Sequence, residues 1–256
     1  MVSGDLRDED EIDHKEMRLI GENEGNDASE DLQKHRIRSI ESTVVIRQLP
    51  SQGISFKLWL PAKTLVTLLD NYRRDPSNSP LTSSLLSNGS DSPRINIVEL
   101  GSGTGIVGIA AAATLGANVT LTDLPNVIEN LRFNADANAE LVARFGGEVH
   151  VAPVRWGEAG DVEGVDLILA SDVVYHEHLY DPLLKTLRLM LLGKDGHKRV
   201  FLMAHLKRWK KESVFFKKAR KVFDVDVIHC DDPQEGCRIG VVVYRFTPKD
   251  HIITRS

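Results

Sequence analysis

Hydrophobic and polar positions along the chain fall into two rhythms. Residues 42–49 and 54–59 are short β-branched and aromatic runs separated by Pro50-Ser51-Gln52-Gly53, which predicts a hairpin. From Pro61 to Tyr72, Leu65, Leu68 and Leu69 recur at helical spacing, and Pro61 is admissible in the first turn. Residues 94–100 form an apolar run, followed by Gly101, Gly103 and Gly105 and then by Ile106, Val107, Ile109 and four alanines, which reads as strand, tight turn, helix. A second strand is predicted over residues 117–123, with a helix through Val127, Ile128, Leu131 and Ala135. A third strand covers 148–152, and a near-continuous apolar strand runs from Val165 and ends in Ser171, Asp172 and Tyr175. Leu179, Leu183, Leu184, Leu187, Leu189 and Met190 make an amphipathic helix. Strands at 199–204, 226–228 and 240–244 and a helix at 214–223 complete the pattern. Alternating strands and helices imply an α/β fold with a parallel sheet, while the short connection between the last two strands implies an antiparallel pair.

The glycines give this pattern a chemistry. Gly101, Gly103 and Gly105 lack a Cβ, so the turn can take positive φ and a ligand can approach its backbone, while the free N–H groups opening the helix favour an anionic group. Residues 103–108 also fit the dinucleotide pattern G-x-G-x-x-G. That fingerprint begins where its strand ends, and here the strand ends earlier, at Gly101. Read from Glu99, the stretch is acid-x-Gly-x-Gly-x-Gly, which resembles motif I of class I S-adenosylmethionine (AdoMet) methyltransferases. Asp123 ends the second strand, where doubly wound folds place a ribose-binding carboxylate, and Pro125 behind it also suits an aspartate that caps the next helix. In a parallel sheet the first polar groups at a strand's carboxyl end mark a pocket, so Ser171, Asp172 and Tyr175 are expected around the same crevice as Gly103 and Asp123.

A chain of 256 residues is long enough for one large domain, and a net charge of −5 argues against nucleic acid as the default partner. Residues 1–40 are acidic and nearly free of aromatic residues, which predicts disorder, without the apolar core of a secretory signal. The domain is expected over 41–248, with a tail at 249–256 and a mobile loop of turn-formers at 73–93. Cys230 and Cys237 read as reduced thiols, and no run is long and apolar enough to span a bilayer, so the expectation is a monomer of the cytoplasm or nucleus with no membrane partner. His176 and His178 lack an evident third ligand, so no metal is assigned. Lys207, Arg208, Lys210, Lys211, Lys217, Lys218, Arg220 and Lys221 surround Trp209, Phe215 and Phe216, as on a solvated amphipathic helix or a docking face for an anionic partner.

From the expected hairpin to Tyr244 the sequence resembles family-16 seven-β-strand methyltransferases, the non-histone protein lysine methyltransferases whose members modify chaperones and AAA ATPases. The resemblance rests on Trp59 in Leu58-Trp59-Leu60-Pro61-Ala62, the loop from Val98 to Gly105, Thr122-Asp123, Arg155-Trp156-Gly157, and Ser171-Asp172-Val173-Val174-Tyr175, which looks like the family's D-x-x-Y motif. It implies a Rossmann-like seven-stranded class I methyltransferase sheet with helices on both faces and an N-terminal β-hairpin. It also implies AdoMet held by Trp59, Glu99, Gly101, Ser102, Gly103, Asp123, Trp156 and Ser171, with Asp172 and Tyr175 facing an acceptor lysine of a protein substrate. Where the family often has Ala before the aspartate, this chain has Ser171. A small-molecule N-methyltransferase or an AdoMet-binding scaffold would share the cofactor half. For a lysine acceptor, reaching the neutral amine at pH 7 costs roughly 4–5 kcal/mol, and a carboxylate such as Asp172 would by itself raise that cost. The expected counterweights are the sulfonium charge and a water-excluding rim of Trp156 and Tyr175.

Overall fold

The computed structural model describes residues 31–86, 94–158, 164–192, 199–233 and 239–249. Its centre is a seven-stranded sheet made from β3 (Asn96–Leu100), β4 (Asn118–Asp123), β5 (Glu148–Pro153), β6 (Leu167–Ser171), β7 (Val200–His205), β8 (Phe223–Cys230) and β9 (Val242–Pro248). The spatial order is β5-β4-β3-β6-β7-β9-β8. The first five are parallel, and β9 runs antiparallel to both β7 and β8, as the short final connection predicted. The chain winds outward from β3 to β5 and then returns to β6 on the other side of β3. The switch point, where doubly wound folds open a crevice, therefore lies beside the glycine loop.

Both faces of the sheet are covered, which is why its inner strands read as continuous apolar runs. On one face α1 (Leu60–Arg74), α3 (Ile106–Leu115), α4 (Ile128–Ala137) and α5 (Ala139–Arg144) pack on residues such as Ile97, Val119, Leu121 and Leu202. Helix α2 (Thr82–Leu86) is a single short turn inside the expected loop, preceded by the buried Leu81. On the opposite face α6 (Tyr180–Leu191) and α7 (Ser213–Ala219) cover Leu100, Ile168, Phe201 and Phe246. α3 is apolar all round because it is enclosed between the sheet and α1. None of the described helices is long and apolar enough to cross a membrane.

The hairpin differs from the expected one. β2 (Ser42–Gln48) pairs antiparallel with β1 (Asp31–Ile37), inside the segment expected to be disordered, so the domain begins by Asp31 rather than 41. Residues 54–56, expected as the second strand, form a 3₁₀ turn after Gly53, whose φ of +124° redirects the chain. The reason is chemical. β1 is joined to β2 through backbone hydrogen bonds, and Ile37 is its one buried apolar side chain, so composition gave no sign of a strand. The joining turn is fixed from below, where Asp70 of α1 accepts from Arg38 N at 3.0 Å and Ser39 N at 2.7 Å. The other edge of β2 is held by Asn134 of α4 and by Asn138, which caps its end, and their side-chain amides imitate a neighbouring strand. Asn138 Oδ1 accepts from Val45 N and its Nδ2 donates to Val45 O, and Asn134 does the same at Arg47. Residues 1–30, 87–93 and 250–256 lie outside the described residues, as do most of the expected acidic segment and C-terminal tail and the end of the expected 73–93 loop.

Candidate active site

A cleft of about 350 Å³ opens at the carboxyl ends of β3, β4 and β6. The glycine loop forms its floor. Gly101 and Gly103 have φ of +62° and +55°, and neither could carry a side chain. A Cβ on Gly101 would come to 3.0 Å from Trp156 and Val173, and one on Gly103 to 2.9 Å from the Ser55 carbonyl. Ser102 fastens the loop to the sheet, its N–H donating to Thr122 O at 2.9 Å and its Oγ accepting from Thr122 N at 3.0 Å. At the end of β4, Asp123 accepts from Gly103 N through Oδ2 at 2.8 Å and from Leu124 N through Oδ1 at 2.7 Å. Burial raises its pKa, and these two donors oppose the rise. Each oxygen keeps a second acceptor direction for a ligand hydroxyl.

Trp59 precedes α1, with its indole N–H donating to Ile54 O at 2.9 Å. It lines the cleft together with Ser55, Lys57, Trp156, Ser171, Asp172 and Tyr175. Burial, then the charges of Asp123 and Asp172, push the Tyr175 phenol well above its ordinary range, so it remains a neutral donor. All the expected site residues therefore meet in one cleft except Glu99. That residue is fully buried behind the floor, where Oε2 accepts from Gly108 N of α3 at 3.0 Å. It ties strand to helix and does not face a ligand, because side chains alternate along β3 and Glu99 points beneath the loop. Burial pushes its pKa up to about 8, with the nearby Asp123 charge adding to the shift and the Gly108 and Ser102 hydrogen bonds opposing it.

Asp172 holds the largest departure from expectation. It follows directly on β6 at φ +59°, with its N–H donating to Ala204 O at 2.9 Å. Its carboxylate is gripped by Arg208, Nη1 to Oδ1 at 2.9 Å and Nη2 to Oδ2 at 2.6 Å. His205 Nδ1 stands 3.6 Å from Oδ1, while its Nε2 is 3.1 Å from Glu212 Oε2. Burial alone would raise the Asp172 pKa, but the His205 and Arg208 donors and charges outweigh it and the carboxyl is held below its usual range. Burial likewise favours neutral His205, yet Asp172 and Glu212 outweigh it and raise the imidazole pKa. Arg208 therefore leaves the solvated basic face to which its sequence neighbours assigned it, and Phe215 and Phe216 are core residues. His205 and Glu212 were not anticipated at all. The one available signal was Glu212 itself, the single acid among the eight cations of residues 207–221. His176 and His178 stack with ring centroids 5.3 Å apart, and no group of three metal-ligating side chains occurs among the described residues.

The family model described as "Lysine methyltransferase" matches residues 39–222. Among curated proteins, protein-lysine N-methyltransferase rrg1 of Schizosaccharomyces pombe is 36% identical over 155 residues, covering 57% of this chain and 50% of that protein. Protein N-lysine methyltransferase METTL21A of Danio rerio is 37% identical over 142 residues, covering 54% and 62%. EEF1A lysine methyltransferase 3 of Mus musculus is 38% identical over 151 residues, covering 58% and 60%. The chain thus spans half to about three fifths of the length of these relatives.

Proposed function

Because the chain belongs to the lysine methyltransferase family, we propose that it transfers a methyl group from AdoMet to a lysine side chain of a protein. The observation that carries this reading is the meeting of the glycine loop, Asp123, Trp59, Trp156, Ser171, Asp172 and Tyr175 in one cleft. The cofactor fits the residues present: Gly101 and Gly103 leave a cradle that a Cβ would fill, and Asp123 offers acceptors for a ribose diol. When bound, AdoMet supplies a methyl group activated by a sulfonium. Asp123 and the backbone of the glycine loop orient the nucleoside, while Trp59 and Trp156 wall it from water. Asp172 and Tyr175 sit where an acceptor amine enters, and holding nitrogen and methyl carbon in line is the chief source of acceleration. With a bound AdoMet supplying the methyl group and leaving as the neutral thioether, Asp172 and Tyr175 would align the acceptor nitrogen, whose surplus proton would leave to water.

The sequence expectation of a monomer of the cytoplasm or nucleus acting on a non-histone protein, with no nucleic-acid or membrane partner, belongs to the same reading, and the net charge of −5 supports its nucleic-acid part. A chaperone or AAA ATPase acceptor rests on the family resemblance alone, and the mouse relative carries EEF1A in its name. The test is incubation of the purified protein with methyl-labelled AdoMet and a heat-treated cell extract, followed by acid hydrolysis. Label is expected as methyl-lysine; label confined to small molecules, or to no product, refutes the proposal.

A further inference from the structure

Asp172 is the carboxylate that should meet the acceptor, yet its charge is matched inside the fold. Arg208 grips both oxygens in a fork, and Arg208 is itself fixed: Nη1 also donates to Leu206 O at 3.0 Å, and its backbone N–H donates to Glu212 Oε2 at 3.1 Å. Its guanidinium carbon lies 5.5 Å from the centre of the Trp59 ring. Glu212 holds His205, and His205 faces Asp172, closing a ring of two carboxylates and two basic groups. All four side chains are at most 7% exposed, so bulk solvent screens none of these charges effectively. The other ionisable groups around the cleft are Lys57 and Arg155, against Asp123, Glu158 and the neutral Tyr175.

We propose that Arg208 is a positioning residue that keeps Asp172 charge-compensated, so that the acceptor lysine is held there as the neutral amine rather than as ammonium. The inference rests on the methyl-transfer reading above and addresses the difficulty that reading creates. A bare carboxylate within contact distance favours the ammonium, displacing its titration upward by about one to three pH units. That displacement would shrink the reactive fraction near neutrality by about tenfold to a thousandfold. With the guanidinium in place, Asp172 still has an acceptor direction left on Oδ2 for an amine N–H, and it aligns the nitrogen without a net negative charge behind it.

The test compares wild type with Arg208→Gln and Arg208→Lys, measuring initial rates of methyl-lysine formation from labelled AdoMet in heat-treated extract between about pH 6.5 and about pH 10. AdoMet affinity and melting temperature are measured on the same proteins. Arg208→Gln is expected to move the acidic limb of the profile upward by about one to three units, with the rate recovering toward the alkaline end. Arg208→Lys, which retains the charge and carries the test if the glutamine protein does not fold, is expected to keep its limb near that of wild type. A loss in Arg208→Gln that is equal at every pH would reduce Arg208 to structural support and overturn the inference. A faster reaction would do so too, by showing that the guanidinium merely blocks the acceptor, and so would a displaced limb in Arg208→Lys. If wild type forms no methyl-lysine, the methyl-transfer reading itself has failed and the inference with it, a result visible before any variant is made.

Discussion

Replacing Glu99 with glutamine is expected to stabilise the protein at alkaline pH, although Glu99 belongs to its most recognisable motif. The carboxyl is fully buried, with Oε2 on Gly108 N and its pKa raised to about 8, against 4.5 for the ordinary group. The folded chain therefore holds this proton more tightly than the unfolded chain does. The stabilisation is complete below pH 4.5 and is lost as pH rises to about 8, above which a charged carboxylate remains buried. A displacement of about 3.5 units corresponds to about 5 kcal/mol across that window. Glutamine keeps an acceptor for Gly108 N and carries no charge, while its buried amide N–H groups cost about 1–3 kcal/mol. The net expectation for Glu99→Gln is about 2 kcal/mol of added stability at pH 8, or about 4–8 °C in Tm, and about 1 kcal/mol of lost stability at pH 5, where the wild-type carboxyl is still protonated. Differential scanning calorimetry at the two pH values measures this directly, with AdoMet affinity expected to stay within a few-fold because Glu99 does not face the cleft. A variant less stable than wild type by the same amount at both pH values would refute the reasoning, since the carboxylate would then be ionised and satisfied.

Three further perturbations bear on the cleft and its supports. Asp172→Asn is expected to lower methyl transfer by about a hundredfold or more, with AdoMet affinity within a few-fold, and equal loss of both would assign Asp172 to the cofactor or the fold. Asp123→Ala removes the acceptors for two charge-assisted hydrogen bonds of about 1.5–3 kcal/mol each, so AdoMet affinity by calorimetry should fall by at least about a hundredfold. A loss of less than about tenfold would show that Asp123 does not hold the ribose. Asn134→Ala strands the Arg47 N–H and the Thr104 carbonyl, while the Arg47 carbonyl keeps the Asn130 amide, at a cost of about 3 kcal/mol and about 6–12 °C in Tm. An unchanged melting temperature would mean that the hairpin edge is satisfied by water instead.

The parts of the fold readable from the sequence were those in which hydrophobic burial and local turn chemistry decide the conformation. Strands β6 and β7 are apolar on both faces, β3 is so except at Glu99, and β4 alternates Val119 and Leu121 with threonines, so each announced itself. The glycine loop did so because its positive φ values need residues without a Cβ. Asp123, Ser171 and Asp172 could be placed together because a parallel sheet brings all its carboxyl ends to one edge. What escaped was structure made by polar groups meeting across distance. β1 is fixed by its ladder with β2, and the amides of Asn134 and Asn138 recognise backbone about ninety positions away, neither of which leaves a periodic trace. Arg208 looked like one more cation on a wet helix, and only the approach of β7 to β6 brings it onto Asp172.

These polar contacts also bear on what the hairpin is for. Asn134 joins two backbones at once, donating to Arg47 O in β2 and to Thr104 O in the glycine loop. Beyond β2 the chain runs directly into the 3₁₀ turn whose Ser55 carbonyl closes over Gly103, and then to Trp59. A shift of β2 would therefore move the loop floor and the tryptophan wall together. The hairpin is better understood as one side of the cleft than as an appendage to a nucleotide fold. It depends on a first strand that contributes almost nothing to the hydrophobic core, so its order relies on backbone pairing, Asp70 and the amides of Asn134 and Asn138. The shape of the cleft thus depends on residues whose only visible task is to satisfy another segment's N–H and C=O groups.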